Sequence, residues 1–418
     1  MDFPTSRLVA LEPLLYDMDQ IRGIYGEAGQ EVVNRVTRLV TTQVQPPFAI
    51  AIDGAWGAGK TTFLSLIRDR LDSLNYPTVW FNPWEYDATG EVVLALQKRI
   101  ASELIARWKF AVKELGVFAL ALATAGISVA AKKCGIEYEQ VKALEEDVRE
   151  ALDAREWSRY EDHVEATKSD FIRLTREVGK RNENGQGRPL PVVIFLDDLD
   201  RCLPDNALKL LEAVKNQFIA KKGDDAANAI FICGLDTATA KRFIMKKYEG
   251  IGHDFAFNYF RKIFNLTLGL PPKPRGEFRK FIARYVHTLF NGQMKQDEAD
   301  CIASHIETLS DLAGTTSVRL MLNVANDYFV CQQMANTTPA YKTILNLLFL
   351  REYWNEFFGE LVARLQKKGD SRFVDAYKEA RLPELAADQE RLKMFTSAIV
   401  PEISAQVAEL HNAGLLSR

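Results

Sequence analysis

The chain contains Gly54-Ala55-Trp56-Gly57-Ala58-Gly59-Lys60-Thr61, which fills every fixed position of the pattern G-x-x-x-x-G-K-[ST]. Residues 48–53 before it form an apolar run typical of a buried strand, and residues 62–71 have the apolar spacing of a helix. Strand, glycine loop and helix in this order are the context in which the pattern binds phosphate. The glycines let the loop curl with its N–H groups inward, and the helix start adds partial positive charge. The stretch, here called the P-loop, therefore predicts a nucleoside triphosphate site.

Individual residues of the P-loop have separate expected roles. The backbone of residues 54–59 would surround phosphate oxygens, and Lys60 would reach the β- and γ-phosphates. The hydroxyl of Thr61 would be a ligand of Mg²⁺. The predicted nucleotide-binding set is Gly54, Ala55, Trp56, Gly57, Ala58, Gly59, Lys60, Thr61 and Thr62.

A second motif comes after another buried strand. Residues 191–196 are continuously apolar and lead into Asp197-Asp198-Leu199-Asp200-Arg201. Asp197 is predicted to hold Mg²⁺, and Asp198 to orient or deprotonate the attacking water. Because adjacent carboxylates at a buried strand end are costly without a cation, the pair itself indicates a metal. The predicted catalytic residues are Lys60, Asp197, Asp198 and Arg201, and the predicted metal ligands are Thr61 and Asp197.

Two charged positions near these motifs have alternative interpretations. Arg201 either faces the γ-phosphate, in its own or a neighbouring subunit, or pairs with Asp200 or Asp205 at the surface. Arg261-Lys262, just before the fifth predicted strand, is a weaker candidate for the same role. Asp236 lies after a third apolar run and either senses the γ-phosphate or, as is more common, caps the next helix.

Length and composition restrict the class of protein. At 418 residues the chain exceeds one typical domain, so two lobes are expected. Its 47% hydrophobic residues suffice for a core of that size. The formal charge of −3 gives no nucleic-acid signature. The five cysteines lack a C-x-x-C pair, which argues against a disulfide framework or a zinc site. The first residues lack the blocks of a secretory signal, so the expected compartment is the cytoplasm.

The order of apolar patterns predicts an α/β fold. Strands alternating with helices favour a P-loop NTPase architecture with a doubly wound, mostly parallel sheet. The predicted strands are 48–53, 77–81, 191–196, 229–234 and 263–268. The predicted helices include 1–47, 91–113, 278–290, 296–309, 317–333 and 341–365. The predicted domains are the NTPase domain in two parts (1–114 and 189–273), a helical insertion (115–188) and a helical C-terminal domain (274–418).

Residues 115–131 form an uncharged stretch inside the predicted insertion. Its length lies at the short edge of a membrane span, which needs about 17–25 residues. Its alanine, glycine, serine and threonine residues make it only weakly hydrophobic. It is either a buried helix or helical arm, or a segment that contacts or anchors to the inner face of the cell membrane.

The motifs together resemble those of the KAP family of P-loop NTPases. The resemblance rests on the P-loop, on Phe81-Asn82-Pro83-Trp84-Glu85-Tyr86, on Asp197-Asp198-Leu199-Asp200-Arg201-Cys202, and on later blocks ending at Arg319-Leu320-Met321-Leu322-Asn323. It implies ATP as nucleotide, an insertion between the two motifs that often bears membrane spans, and, in bacterial members, a role in phage or plasmid exclusion. Thr315-Thr316 replace the family's usual proline and arginine, which leaves Arg319 as the alternative nucleotide-sensing arginine.

These motifs support two functions from different classes. The first is a Mg²⁺-dependent ATPase whose cycle drives a conformational or assembly change, with a protein partner or a second copy of the chain. The second is a slow, nucleotide-gated switch that recruits a partner protein. A phosphotransferase is a weaker third hypothesis, because the sequence offers no separate acceptor site.

Overall fold

The computed structural model describes residues 18–110, 114–115, 118, 160–182, 187–219, 226–248, 253–315, 317–334 and 340–368. Helices and strands are numbered here in chain order within these residues. Contacts between residues divide the chain into two compact units. The sheet unit comprises Glu31–Gly54 and Lys60–Leu270, and the helical unit comprises Met1–Gln30, Ala55–Gly59 and Pro271–Arg418.

The sheet unit is built on five parallel strands in the spatial order β2-β3-β4-β1-β5. They are β1 (Phe48–Asp53), β2 (Thr78–Phe81), β3 (Val192–Leu196), β4 (Ala229–Leu235) and β5 (Leu266–Gly269). All residues of β3 and β4 are buried, as continuous apolar runs require in a sheet covered on both faces. The predicted α/β class with a parallel sheet is confirmed, and the carboxyl ends of β1, β3 and β4 lie side by side.

Helices connect the strands of this sheet. They are the second part of α1 (Met18–Arg38), then α2 (Lys60–Ser73), α3 (Val92–Ala106), α4 (Tyr160–Arg181), α5 (Pro204–Ala213), α6 (Thr237–Lys247) and α7 (His253–Ile263). Short helical turns lie at Pro83–Thr89 and Leu199–Arg201, and wider turns at Leu39–Gln43 and Val214–Phe218. Phe171 of α4 packs edge-on against Phe218, with ring centroids 4.8 Å apart. The described part of the predicted insertion therefore contributes to the core of the sheet unit.

Three predicted boundaries in this unit are wrong. The predicted helix 1–47 ends at Gln43, because Val44 has an extended backbone (φ −103°, ψ 145°). The predicted helix 91–113 ends at Ala106, because Lys109 adopts a left-handed φ of 56° that α-helix cannot continue through. The predicted strand 263–268 begins only at Leu266. Ile263 instead ends α7, where Phe264 donates its N–H to the Phe260 carbonyl and the two rings pack at a tilt, with centroids 4.8 Å apart.

The uncharged stretch 115–131 lies mostly outside the described residues. Its described members, Leu115 and Phe118, are buried in the core of the sheet unit, and Phe118 stacks on Phe171. Among the residues that the structure describes, no helix has the length and apolar character needed to cross a membrane.

The helical unit contains five helices in its described C-terminal part. They are α8 (Arg275–Leu289), α9 (Gln296–Ala313), α10 (Val318–Met334), α11 (Tyr341–Tyr353) and α12 (Asn355–Lys368). Their apolar faces form one core with residues such as Phe281, Ile306 and Phe349, each at most 3% exposed. The predicted helix 341–365 is wrong as one element, because Trp354 leaves helical geometry (φ −122°, ψ 57°) as its side chain turns into this core.

Candidate nucleotide-binding site

The P-loop has the backbone geometry that its glycines were predicted to allow. Gly57 and Gly59 have φ values of 78° and 91°, which side chains rarely tolerate. Between them, Ala58 donates its N–H to the Ala55 carbonyl at 3.1 Å and closes a tight turn. Residues 55–59 belong to the helical unit, in which Val318 donates its N–H to the Gly57 carbonyl at 3.1 Å.

Lys60 begins α2 and is held by two acceptors of the sheet unit. Its Nζ donates to the Gly54 carbonyl at 2.9 Å and to Asp200 Oδ2 at 3.0 Å. Both side chains of this ion pair are only 7% exposed. Two buried opposite charges at this distance interact strongly, but each has lost its hydration. Asp200 thus neutralises the charge of Lys60.

Asp197 lies directly after β3 and is 2% exposed. Its Oδ1 has no hydrogen-bond partner among the described residues, whereas the Thr61 hydroxyl donates to the carboxylate. Burial, with the neighbouring charge of Asp198, raises the pKa of Asp197 to about 6. A Cβ at Gly234 would lie 3.0 Å from Oδ1, so the absence of a side chain there keeps room at this oxygen.

Asp198 is positioned by two partners. Asn82, at the end of β2, donates from Nδ2 to Asp198 Oδ2 at 3.3 Å, and Arg201 forms an ion pair at 3.0 Å from Nε to Oδ1. Asp198 has a left-handed φ of 57°, a backbone conformation that is uncommon for residues other than glycine. Burial raises the pKa of Asp198, and the Arg201 charge opposes that rise.

Arg201 forms its ion pair with Asp198. The sequence had predicted either a contact with the γ-phosphate or an ion pair with Asp200 or Asp205. Its guanidinium carbon also lies 5.2 Å from the ring centroid of Trp84, which is 50% exposed. Asp200, one of the acids considered as its partner, pairs with Lys60 instead. Arg201 therefore lies beside the acid that is predicted to act on water.

The turn after β2 is fixed to the start of α5 by one side chain. Both carboxylate oxygens of Asp87 accept the Leu203 N–H, at 3.1 and 3.0 Å, and Oδ1 also accepts from Asn206 at 2.8 Å. This connection holds the Asn82 segment against the segment that carries Asp198. The ring of Trp80 stacks on that of Phe195, with centroids 5.8 Å apart, and so contributes to packing.

Asp236 and Asp53 have structural roles near the strand ends. Asp236 caps α6, accepting the N–H groups of Ala238 and Thr239 at 2.9 and 3.3 Å, which agrees with the capping interpretation. Asp53, the last residue of β1, accepts the N–H and hydroxyl of Thr237 at 2.9 and 3.0 Å. Arg261 is exposed at the end of α7.

Within the sheet unit, the structure brings together Lys60, Thr61, Asp197, Asp198 and Arg201 of the predicted set. Sequence reasoning missed the contacts of two residues, although both lie inside quoted motifs. Asn82 contacts Asp198, and Asp200 contacts Lys60. Tyr25, whose hydroxyl donates to the Ala58 carbonyl, carries no motif that could have revealed it.

The residues at the strand ends fit a magnesium ion. Asp197 offers a carboxylate oxygen without a partner among the described residues, and the Thr61 hydroxyl lies at the same carboxylate. Magnesium in nucleotide sites takes one or two protein ligands and completes its shell with phosphate oxygens and water. Within the described residues, no group of three or more His, Cys, Asp or Glu side chains could hold a metal ion without such help.

The KAP family P-loop domain matches residues 31–339, about three quarters of the chain. The chain belongs to the KAP family. The P-loop, the Asn82 turn and the Asp197–Arg201 segment of this KAP protein all lie inside the match, as does Arg319. No sequence among the curated proteins matches it.

Several solved structures align with most of this KAP protein at low sequence identity. A Walker-type ATPase of Pyrococcus abyssi is 12% identical with a TM-score of 0.36, and the match covers 93% of this chain and 94% of that one. Cdc6p from Pyrobaculum aerophilum is 12% identical with a TM-score of 0.41 and 98% coverage of both chains. The Orc1 protein of Aeropyrum pernix, in complex with DNA, is 12% identical with a TM-score of 0.30, covering 94% and 87%. Since these TM-scores are below 0.5, membership of the KAP family depends on the match over residues 31–339 and on the motifs of the site.

Proposed function

We propose that this KAP protein is a Mg²⁺-dependent ATPase. The observation that supports this best is the buried Oδ1 of Asp197, which has no partner among the described residues and lies beside the Thr61 hydroxyl. A buried carboxylate oxygen without a hydrogen-bond partner costs free energy, and a bound cation would offset this cost. The same strand end carries Asp198, which holds a defined orientation through Asn82 and Arg201.

Each residue has a defined task in this proposal. Lys60 leaves Asp200 and binds the phosphate oxygens of ATP, while Thr61 and Asp197 hold the metal ion, which would neutralise phosphate charge. Asp198 accepts a hydrogen bond from the attacking water and orients it toward the γ-phosphorus. Arg201 keeps the Asp198 carboxylate ionised and in place, because a neighbouring positive charge favours the charged form.

The wider role of the cycle is inferred from the family resemblance. We infer that hydrolysis drives a conformational or assembly change that involves a protein partner or a second copy of the chain. Phage or plasmid exclusion, and contact of residues 115–131 with the inner face of the cell membrane, are proposals from the same resemblance. We propose ATP, and not GTP, as the nucleotide on the basis of the same family resemblance.

Phosphate release from ATP tests the catalytic proposal. We expect turnover that requires Mg²⁺, is lost in EDTA, and falls by roughly a hundredfold or more in Lys60→Ala and in Asp197→Ala. Lys247→Ala is the matched control, because Lys247 also forms an ion pair in the sheet unit, 2.8 Å from Glu212. Turnover that persists in both Lys60→Ala and Asp197→Ala would refute the proposal.

A slow nucleotide-gated switch is the alternative, and one contact favours it. A phosphate must displace Asp200 from Lys60, and breaking a buried ion pair has a cost that can slow entry into the active state. Single-turnover hydrolysis separates the two functions. A protein that binds Mg²⁺-ATP tightly but hydrolyses it on the scale of hours would be a switch.

A further inference from the structure

The P-loop is anchored by a tyrosine from α1. Tyr25 is 2% exposed, and its hydroxyl donates to the carbonyl of Ala58. A Cβ built at Gly59 would lie 3.8 Å from the same hydroxyl, so the ring ends at this peptide. Burial raises the pKa of the Tyr25 hydroxyl above its ordinary value, so the hydroxyl keeps its proton and stays a donor at every physiological pH.

A second anchor comes from the start of α10. Val318 donates its N–H to the Gly57 carbonyl at 3.1 Å. Ser317 caps this helix by accepting the Leu320 N–H at 3.3 Å, and its Oγ occupies the space that a Cβ at Gly57 would take. The helical unit thus contacts two successive carbonyl groups of the loop.

Fixing a carbonyl also fixes an N–H. In a planar trans peptide the C=O and the N–H of the next residue point in opposite directions. The Ala58 carbonyl and the Gly59 N–H belong to one peptide, so the Tyr25 hydroxyl determines which way the Gly59 N–H points. Gly59 has a φ of 91° and no side chain, and a glycine peptide without an anchor can rotate between conformations.

We propose that Tyr25 is a positioning residue for the nucleotide, which keeps the Gly59 N–H directed at the phosphates by holding the Ala58 carbonyl from behind. The inference depends on the proposed nucleotide-binding function for its consequence, but not for the contact itself. Without the hydroxyl, the loop bears the cost of ordering this peptide when the phosphate binds. Nucleotide affinity then falls while the fold remains.

Two conservative substitutions form a matched pair. Tyr25→Phe removes only the hydroxyl and keeps the ring that fills the core. Tyr285→Phe removes the hydroxyl of another tyrosine in the helical unit, 1% exposed, which donates to Asn326 at 2.7 Å. We expect Tyr25→Phe to raise the Kd of Mg²⁺-ATP roughly fivefold, the size of one lost net hydrogen bond, and Tyr285→Phe to leave it unchanged. The two variants should lose similar thermal stability, which separates positioning from general destabilisation.

Hydrogen exchange of the nucleotide-free protein completes the test. A peptide covering residues 54–60 should exchange faster in Tyr25→Phe than in wild type or Tyr285→Phe, because the anchor of its central peptide is gone. Equal exchange and equal Kd in the two variants would overturn the inference. If wild type does not bind ATP, the proposed function fails, and the exchange rate alone then decides whether Tyr25 orders the loop.

Discussion

Lys60 and Asp200 form a buried ion pair, with Nζ 3.0 Å from Oδ2 and each side chain 7% exposed. The two residues are 140 positions apart and join the start of α2 to the segment after β3. Because Lys60 is also the residue predicted to bind phosphate, we expect Asp200 to compete with a nucleotide for its positive charge. The ion pair is therefore a specific contact whose effect on nucleotide binding can be tested.

Asp200→Asn keeps the size of the side chain and removes its charge. We expect a non-hydrolysable ATP analogue to bind about threefold to tenfold more tightly, because Lys60 is released at lower cost. The melting temperature of the free protein should fall, since Lys60 loses its partner. Isothermal titration calorimetry and thermal unfolding measure the two effects.

Glu103→Gln is the control for this change. Glu103 is an acid of the sheet unit, 13% exposed, that pairs with Arg99 at 2.9 Å. It should leave the affinity for the analogue unchanged. Weaker binding by Asp200→Asn would show that Asp200 helps to hold the ligand and does not compete with it.

Asp197→Asn should stabilise the nucleotide-free chain while it abolishes turnover. The carboxylate is 2% exposed, and one of its oxygens has no partner among the described residues, so its ionised form is costly at neutral pH. We expect the free energy of unfolding in urea with EDTA to rise by roughly 1–2 kcal/mol. A lower stability of the variant would mean that Asp197 is already well solvated or paired without a metal.

Arg201 is expected to act within its own chain. Arg201→Ala should lower turnover by roughly tenfold or more, because Asp198 loses the charge that orients it. Mixing Arg201→Ala with Lys60→Ala protein should restore no activity. Recovered turnover in the mixture would place Arg201 at a neighbouring subunit's nucleotide, which is the interpretation that the sequence also allowed.

Lys273 makes stability depend on pH. Its Nζ is buried without a hydrogen-bond partner among the described residues, 5.1 Å from the ring centroid of Phe278, and burial lowers its pKa to about 7. An unfolded lysine keeps its proton to about pH 10, so the unfolded state binds more protons between these values. Burial of the charged Lys273 amine therefore lowers the free energy of unfolding by its full amount below about pH 7. This loss of stability disappears as the pH approaches about 10.

Lys273→Met removes this penalty. The variant should exceed wild type in free energy of unfolding by on the order of 2 kcal/mol at about pH 7, and by much less at about pH 9.5. Urea unfolding at both pH values measures the difference. Lys280→Met changes a 70% exposed lysine of α8 and should show no such dependence. A loss of stability in Lys273→Met at neutral pH would mean that the amine has an anionic partner.

Much of the sheet unit could be predicted because its signals are local. The apolar runs of β1, β3 and β4 are long enough to require burial on both faces, and the P-loop pattern requires a helix directly after the loop that ends β1. The boundaries near Ala106 and Leu266 could not be predicted, since a left-handed residue and the contact between the Phe260 and Phe264 rings decide them.

The amino-acid sequence by itself determined the glycine loop, the acids after the third strand and the parallel order that brings strand ends together. These are properties of short segments and of their alternation along the chain. Only the tertiary structure decided that Asp200 holds Lys60, that Asn82 and Arg201 orient Asp198, and that Tyr25 anchors Ala58. Most of these partners lie between 33 and 140 positions apart, so their pairing depends on how packed elements place side chains and carbonyls, which no local pattern encodes.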